Sequence, residues 1–176
     1  QVDANVARIL EGLDRLGLTG NTLVLYTSDH GEMLGDHGLR EKLVPYESSV
    51  RIPFLMRFPG RVPAGLDEET FVDLYDVLPT ACSAAGIDLE AEAQRHGLRS
   101  GFAGASLLSS GGPRDRGVQC AAWGDNRACP RWVMARDREW KYIHWLGEAE
   151  PEERFNTKLD PHERRNLAAG TEPGAA

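Results

Sequence analysis

The chain has 176 residues, enough for a domain with a sizeable core, and a net charge of −7. That acidic balance, with no basic stripe to offset it, excludes an ordinary nucleic-acid binder; the pairs Arg114/Arg116 and Arg164/Arg165 read as solvated surface. No apolar run reaches the roughly 18 residues of a membrane span, and residues 1–5 have neither the basic start nor the apolar core of a signal peptide.

Residues 1–16 read as an amphipathic helix, with Val2, Val6, Ile9, Leu10, Leu13 and Leu16 at three- and four-residue steps and Gly17 placed to end it. The periodicity is already running at Val2 without a capping residue, as in a helix entered partway. Residues 21–27 form an apolar run without alternation, the pattern of a strand covered on both faces in a parallel sheet. A long loop follows over 28–50, with Gly31, Gly35 and Gly38 permitting positive φ and close backbone approach. Residues 52–57 make a second short strand.

Asp76 is placed to cap a helix over 77–85 that ends at Gly86. Residues 88–115 are polar and rich in Gly and Ser, with a short helix near 89–95. The last third reads as short strands at 118–123, 132–135, 140–145 and 154–159, with a polar hairpin at 136–139 and a short helix at 162–168. The domain organisation expected is a larger α/β part over 1–100, a linker over 101–117, a small α+β subdomain over 118–170 and a tail over 171–176.

Chemistry is concentrated in the loop that follows the first strand. Asp29 offers a hard oxygen ligand and His30 a nitrogen ligand, adjacent at a strand end where open α/β sheets place their sites. Two protein ligands make an incomplete cation site, and the others must come from elsewhere in the protein. Lys42 is a candidate donor to an anionic substrate and to a leaving oxygen. Glu32, Asp36 and His37 are weaker candidates, His37 being the one of the three to touch substrate, and Glu47 is expected to pair with Arg51. Cys82, Cys120 and Cys129 have no CxxC spacing, which argues against zinc; Cys120 and Cys129 can pair if their strands are neighbours, and otherwise the three read as free thiols, leaving the compartment open between cytoplasm and periplasm or secretion. Trp123, Trp132 and Trp145 read as packing of the small sheet rather than as an aryl or sugar subsite.

The ordered set of segments resembles the sulfatase family of the alkaline-phosphatase superfamily. It comprises 21–39 with Thr27-Ser28-Asp29-His30-Gly31-Glu32, Lys42, Pro45-Tyr46-Glu47, Val50-Arg51-Ile52-Pro53, Arg57-Phe58-Pro59-Gly60, Trp140-Lys141-Tyr142-Ile143 and Asp160-Pro161-His162-Glu163. The resemblance implies an α/β fold: part of an alkaline-phosphatase-like mixed sheet flanked by helices, plus a small C-terminal antiparallel sheet with a helix. It implies metal-dependent hydrolysis of small-molecule sulfate esters, with Asp29 and His30 as metal ligands and Lys42 on the sulfate and leaving group. The metal implied is Ca²⁺, with Mn²⁺ or another divalent ion admitted by the imidazole.

The family nucleophile is a formylglycine made from Cys or Ser in a Cys/Ser-x-Pro/Ala-x-Arg motif. None of Cys82, Cys120 and Cys129 stands in such a motif, and the family's paired N-terminal aspartates are absent as well. The chain therefore resembles the C-terminal portion of a sulfatase, expected to be inactive alone. Two other readings stay open: a phosphonate monoester or phosphodiester hydrolase of the same superfamily, and an inert or partner-binding remnant. Oligomeric state is not legible.

Overall fold

The structure is a computed structural model of the chain. It describes residues 1–67, 70–99, 101–109, 119–123, 131–147 and 152–168, the side chains of 119–123 excepted. Cys129, Arg114, Arg116, the tail over 171–176 and the side chains of Cys120 and Trp123 thus lie outside the described residues. The chain divides into two compact units, one of Gln1–Thr27 with Phe54–Arg114 and one of Ser28–Pro53 with Asp115–Ala176.

In the first unit, α1 spans Val2–Arg15. It ends where Gly17 takes φ 68°, a left-handed conformation that costs glycine nothing. The amides of Gly17 and Leu18 then bond the carbonyls of Asp14 and Leu13 at 3.1 and 2.9 Å, closing the helix in a Schellman motif. Two further helices, α3 (Val77–Ala84) and α4 (Leu89–Arg95), end the same way at Gly86 and Gly97. The strands β1 (Val24–Thr27) and β2 (Phe54–Arg57) pair antiparallel, Val24 opposite Arg57 and Thr27 opposite Phe54. The apolar run over 21–27 is thus a strand as expected, but its partner among the described residues runs antiparallel to it.

Asp76 does not cap α3 in the expected way. Asp73 caps the preceding 3-10 turn, its Oδ1 accepting from the Tyr75 amide at 2.9 Å. The buried Asp76 carboxylate accepts from the amides of Asp73 and Ala105, at 3.1 and 2.8 Å. With the Leu107 amide donating to Thr80 Oγ1 at 3.0 Å, this fastens the segment after α4 onto α3.

The second unit is built on an antiparallel meander of β3 (Gln119–Trp123), β4 (Arg131–Arg136), β5 (Trp140–Leu146) and β6 (Glu152–Asn156). At the turn from β4 to β5, Asp137 Oδ1 accepts from the amides of Glu139 and Trp140, which holds its carboxyl below the usual range. Alternation puts Trp132 and Met134 of β4, Ile143 of β5 and Phe155 of β6 in the core. Met33 and Tyr46, from the loop over 28–53, complete that core.

Residues 162–168 contain no helix; Glu163 sits at φ 53° and buries its side chain. Nor does Glu47, which opens the short helix α2 (Glu47–Val50), pair with Arg51: it meets Lys141 Nζ at 2.7 Å and an Arg136 amino group at 3.3 Å.

Candidate functional site

The loop that follows β1 turns at once, and side chains make the turn. Ser28 Oγ donates to the His30 carbonyl at 2.8 Å, and the His30 amide donates to Asp29 Oδ1 at 3.1 Å. These local amide bonds hold the exposed Asp29 carboxyl below its usual range. Gly31 then passes against the segment 48–49, its amide bonding the Ser49 carbonyl at 2.7 Å. A Cβ on Gly31 would stand 2.1 Å from the Ser48 carbonyl oxygen. Gly31 therefore serves close approach, whereas Gly35 and Gly38 take positive φ, at 105° and 71°.

The His30 ring is fixed by its own neighbour. Nδ1 lies 2.7 Å from the Gly31 carbonyl, which can only accept, so Nδ1 carries the proton. In the neutral ring Nε2 then presents its lone pair, 3.5 Å from Asp29 Oδ2. Asp29 Oδ2 and His30 Nε2 thus lie side by side, with the second carboxylate oxygen and the second ring nitrogen already committed. This oriented oxygen–nitrogen pair fits a divalent cation as two of its ligands. No group of three or more His, Cys, Asp or Glu side chains able to hold a metal occurs among the described residues.

Between Met33 and Glu41 the chain makes a tight excursion. Glu32 Oε1 accepts from the Glu41 amide at 2.6 Å, and the Met33 amide bonds the Glu41 carbonyl at 2.8 Å. Asp36 accepts from the Ser48 hydroxyl, which lowers its pKa. His37 stacks on Tyr46 with ring centroids 4.0 Å apart, and its Nε2 donates to the His162 carbonyl at 3.1 Å. Burial, with Glu153 beside it, pushes the Tyr46 phenol up. Lys42 is exposed and has no hydrogen bond or ion pair among the described residues. The structure thus sets Asp29 and His30 side by side, occupies His37 with Tyr46 and His162, and leaves Lys42 exposed.

The sequence reading missed Lys141. It is wholly buried, with Nζ 2.7 Å from Glu47, 2.6 Å from Glu163 and 2.9 Å from the Pro45 carbonyl. The signal was present in strand alternation, which puts Lys141 on the face of Ile143.

The family described as Sulfatase matches residues 1–87. Arylsulfatase K of Mus musculus is 33% identical over 96% of the chain, which spans 31% of that relative. A solved structure of a protein in complex with its substrate D-glucosamine-2-N,6-O-disulfate is 30% identical, with a TM-score of 0.77 over 96% of this chain and 34% of that one. The phosphonate monoester hydrolase of Agrobacterium radiobacter is 26% identical, with a TM-score of 0.72 over 97% of this chain and 35% of that one. The chain spans about a third of the length of the relatives it matches. The alkaline-phosphatase-type fold expected from the resemblance is the one these structures share with it. By its sequence and by its fold, the chain belongs to the sulfatase family.

Proposed function

We propose that the protein containing this chain hydrolyses sulfate esters, and that residues 29–42 supply part of its active site. The observation that carries the reading is the pairing of Asp29 Oδ2 with His30 Nε2, 3.5 Å apart and oriented by Ser28, Gly31 and the local amides. Asp29 and His30 would hold a divalent cation; the carboxylate suits Ca²⁺, and the imidazole admits Mn²⁺. When bound, that ion would supply positive charge to the sulfate oxygens as negative charge develops on them.

Lys42 is given the substrate role. Its ammonium binds a sulfate oxygen as a point charge and can pass a proton to the departing alkoxide or phenoxide oxygen. His37 is the weaker candidate for a substrate contact, since its Nε2 is already engaged with the His162 carbonyl. The nucleophile, a formylglycine in the family, is assigned to residues outside these 176, because no Cys/Ser-x-Pro/Ala-x-Arg motif occurs among them. Sulfated sugars are the first substrates to try, given the ligand of the glucosamine-disulfate complex.

A second reading, phosphonate monoester hydrolysis, is favoured by the likeness to the Agrobacterium radiobacter enzyme. Both substrates place a tetrahedral anion against the same cation and lysine. With the full-length protein, the sulfate reading expects an aryl sulfate to be turned over with a higher kcat/KM than an aryl phosphonate monoester; the reverse order selects the second reading. Lys42→Ala should lower kcat about 10²- to 10³-fold on the preferred substrate, the range for losing one charge-stabilising donor. Near-normal turnover of that variant would remove Lys42 from the site.

A further inference from the structure

Lys42 stands between two residues with left-handed backbone, Glu41 at φ 66° and Leu43 at φ 80°. Residues with a side chain hold that conformation only where their surroundings over-determine it. On the N-terminal side the surroundings are loop contacts: the Glu41 amide on Glu32 and the Glu41 carbonyl on the Met33 amide.

On the C-terminal side the chain is gripped at alternate residues. Trp132 Nε1 donates to the Leu43 carbonyl at 2.9 Å, and Lys141 Nζ donates to the Pro45 carbonyl at 2.9 Å. The Glu47 amide in turn donates to Glu163 Oε2 at 2.6 Å. Each grip comes from a buried side chain of β4, β5 or the turn after β6, not from a backbone ladder. Such a polar set is a poor way to gain stability, because burying a cation against two carboxylates does no better than apolar packing. What it does provide is register: three fixed points over five residues.

We propose that Trp132, Lys141 and Glu163 are positioning residues for Lys42, holding residues 43–47 in one register and so fixing where its ammonium is presented. The inference rests on the reading of Lys42 as the group that meets the substrate anion. The residues act through the backbone that follows Lys42, and the small C-terminal sheet is thereby part of the catalytic apparatus.

The test is a double-mutant cycle in the full-length protein, run with hydrogen exchange. Trp132→Phe keeps an aromatic ring and removes the N–H; Glu163→Gln keeps an oxygen for the Glu47 amide and removes the charge that holds Lys141. Each should speed amide exchange within residues 41–47 and lower kcat about 10- to 100-fold with a smaller change in KM, as for a misplaced catalytic group. In a Lys42→Ala background the same changes should cost under about twofold, since nothing remains to be positioned. An equal loss in both backgrounds, or unchanged exchange with wild-type kcat, overturns the positioning role while leaving Lys42 in place. Wild-type turnover by Lys42→Ala itself overturns the anion-binding reading, and with it the catalytic meaning of the grip.

Discussion

At Lys141 one buried residue ties together the polar contacts of the second unit. Its ammonium is the shared partner of two buried carboxylates, Glu47 and Glu163, and of the Pro45 carbonyl. Removing one member of such a set leaves charge buried without compensation, a loss of about 3–5 kcal/mol. Lys141→Met, which keeps the length of the side chain, should show that loss in urea unfolding near neutral pH. The loss should also depend on pH in a definite sense. Burial pushes the Glu163 carboxyl above its ordinary value of 4.5, and Lys141 is the chief influence holding it down. In the variant the carboxyl rises further. A group raised on folding gives its full stability below its unfolded pKa and loses it as pH rises through the folded one. The deficit of Lys141→Met should therefore be small in acid and widen as pH climbs above 4.5. A deficit independent of pH would mean that the two carboxylates find other partners.

Among the elements, the turn at Gly31 joins structure to site most directly. It brings the chain against the segment 48–49 and offers the carbonyl that orients His30. In Gly31→Ala the new methyl would meet the Ser48 carbonyl oxygen at 2.1 Å, so backbone must move. The expected cost is about 1–3 kcal/mol, typical of overpacking, with weaker binding of Ca²⁺ or Mn²⁺ by the full-length protein, read by unfolding midpoint and calorimetry. Wild-type values for both would show that the turn has slack. The helix α1 was legible because its apolar residues recur at three- and four-residue steps, and the strands β3 to β6 because short apolar runs are separated by polar turns. The direction of pairing between β1 and β2 was not, since an apolar run records burial and not its neighbour. Asp76 was misread because a carboxylate at a helix start can equally accept an amide from a distant segment, here Ala105. The helix expected at 162–168 lost to tertiary structure: Glu163 turns to φ 53° and its side chain goes to Lys141. The pairing of Glu47 with Arg51 failed for the same reason, as the wholly buried ammonium outcompetes a guanidinium four residues on. In the site, the residue types at Asp29 and His30 suggest ligands, but the grips on residues 43–47 are long-range facts that no local pattern carries.

For the whole molecule, the question is how much chemistry these 176 residues can carry by themselves. On the proposed reading the pair Asp29–His30 would supply two ligands, and the described residues gather no group of three or more His, Cys, Asp or Glu able to hold a metal. Val2 and Ile9 on the apolar side of α1, and Leu16 at its C-cap, are 62%, 62% and 72% exposed. An apolar stripe so open is costly in water. The chain expressed alone should therefore bind Ca²⁺ and Mn²⁺ weakly and hydrolyse aryl sulfates no faster than buffer, while the full-length protein does both well. Two measurements decide it: calorimetric titration with each ion, and a continuous aryl sulfate assay at matched concentrations. Tight one-to-one binding by the chain would show that Asp29 and His30 have partners enough within it. Turnover by the chain would show that a nucleophile stands among its own residues. Either result would move the chemistry into the 176 residues; weak binding with no turnover would leave the chain as the bearer of two ligands, one lysine and the sheet that holds that lysine in place.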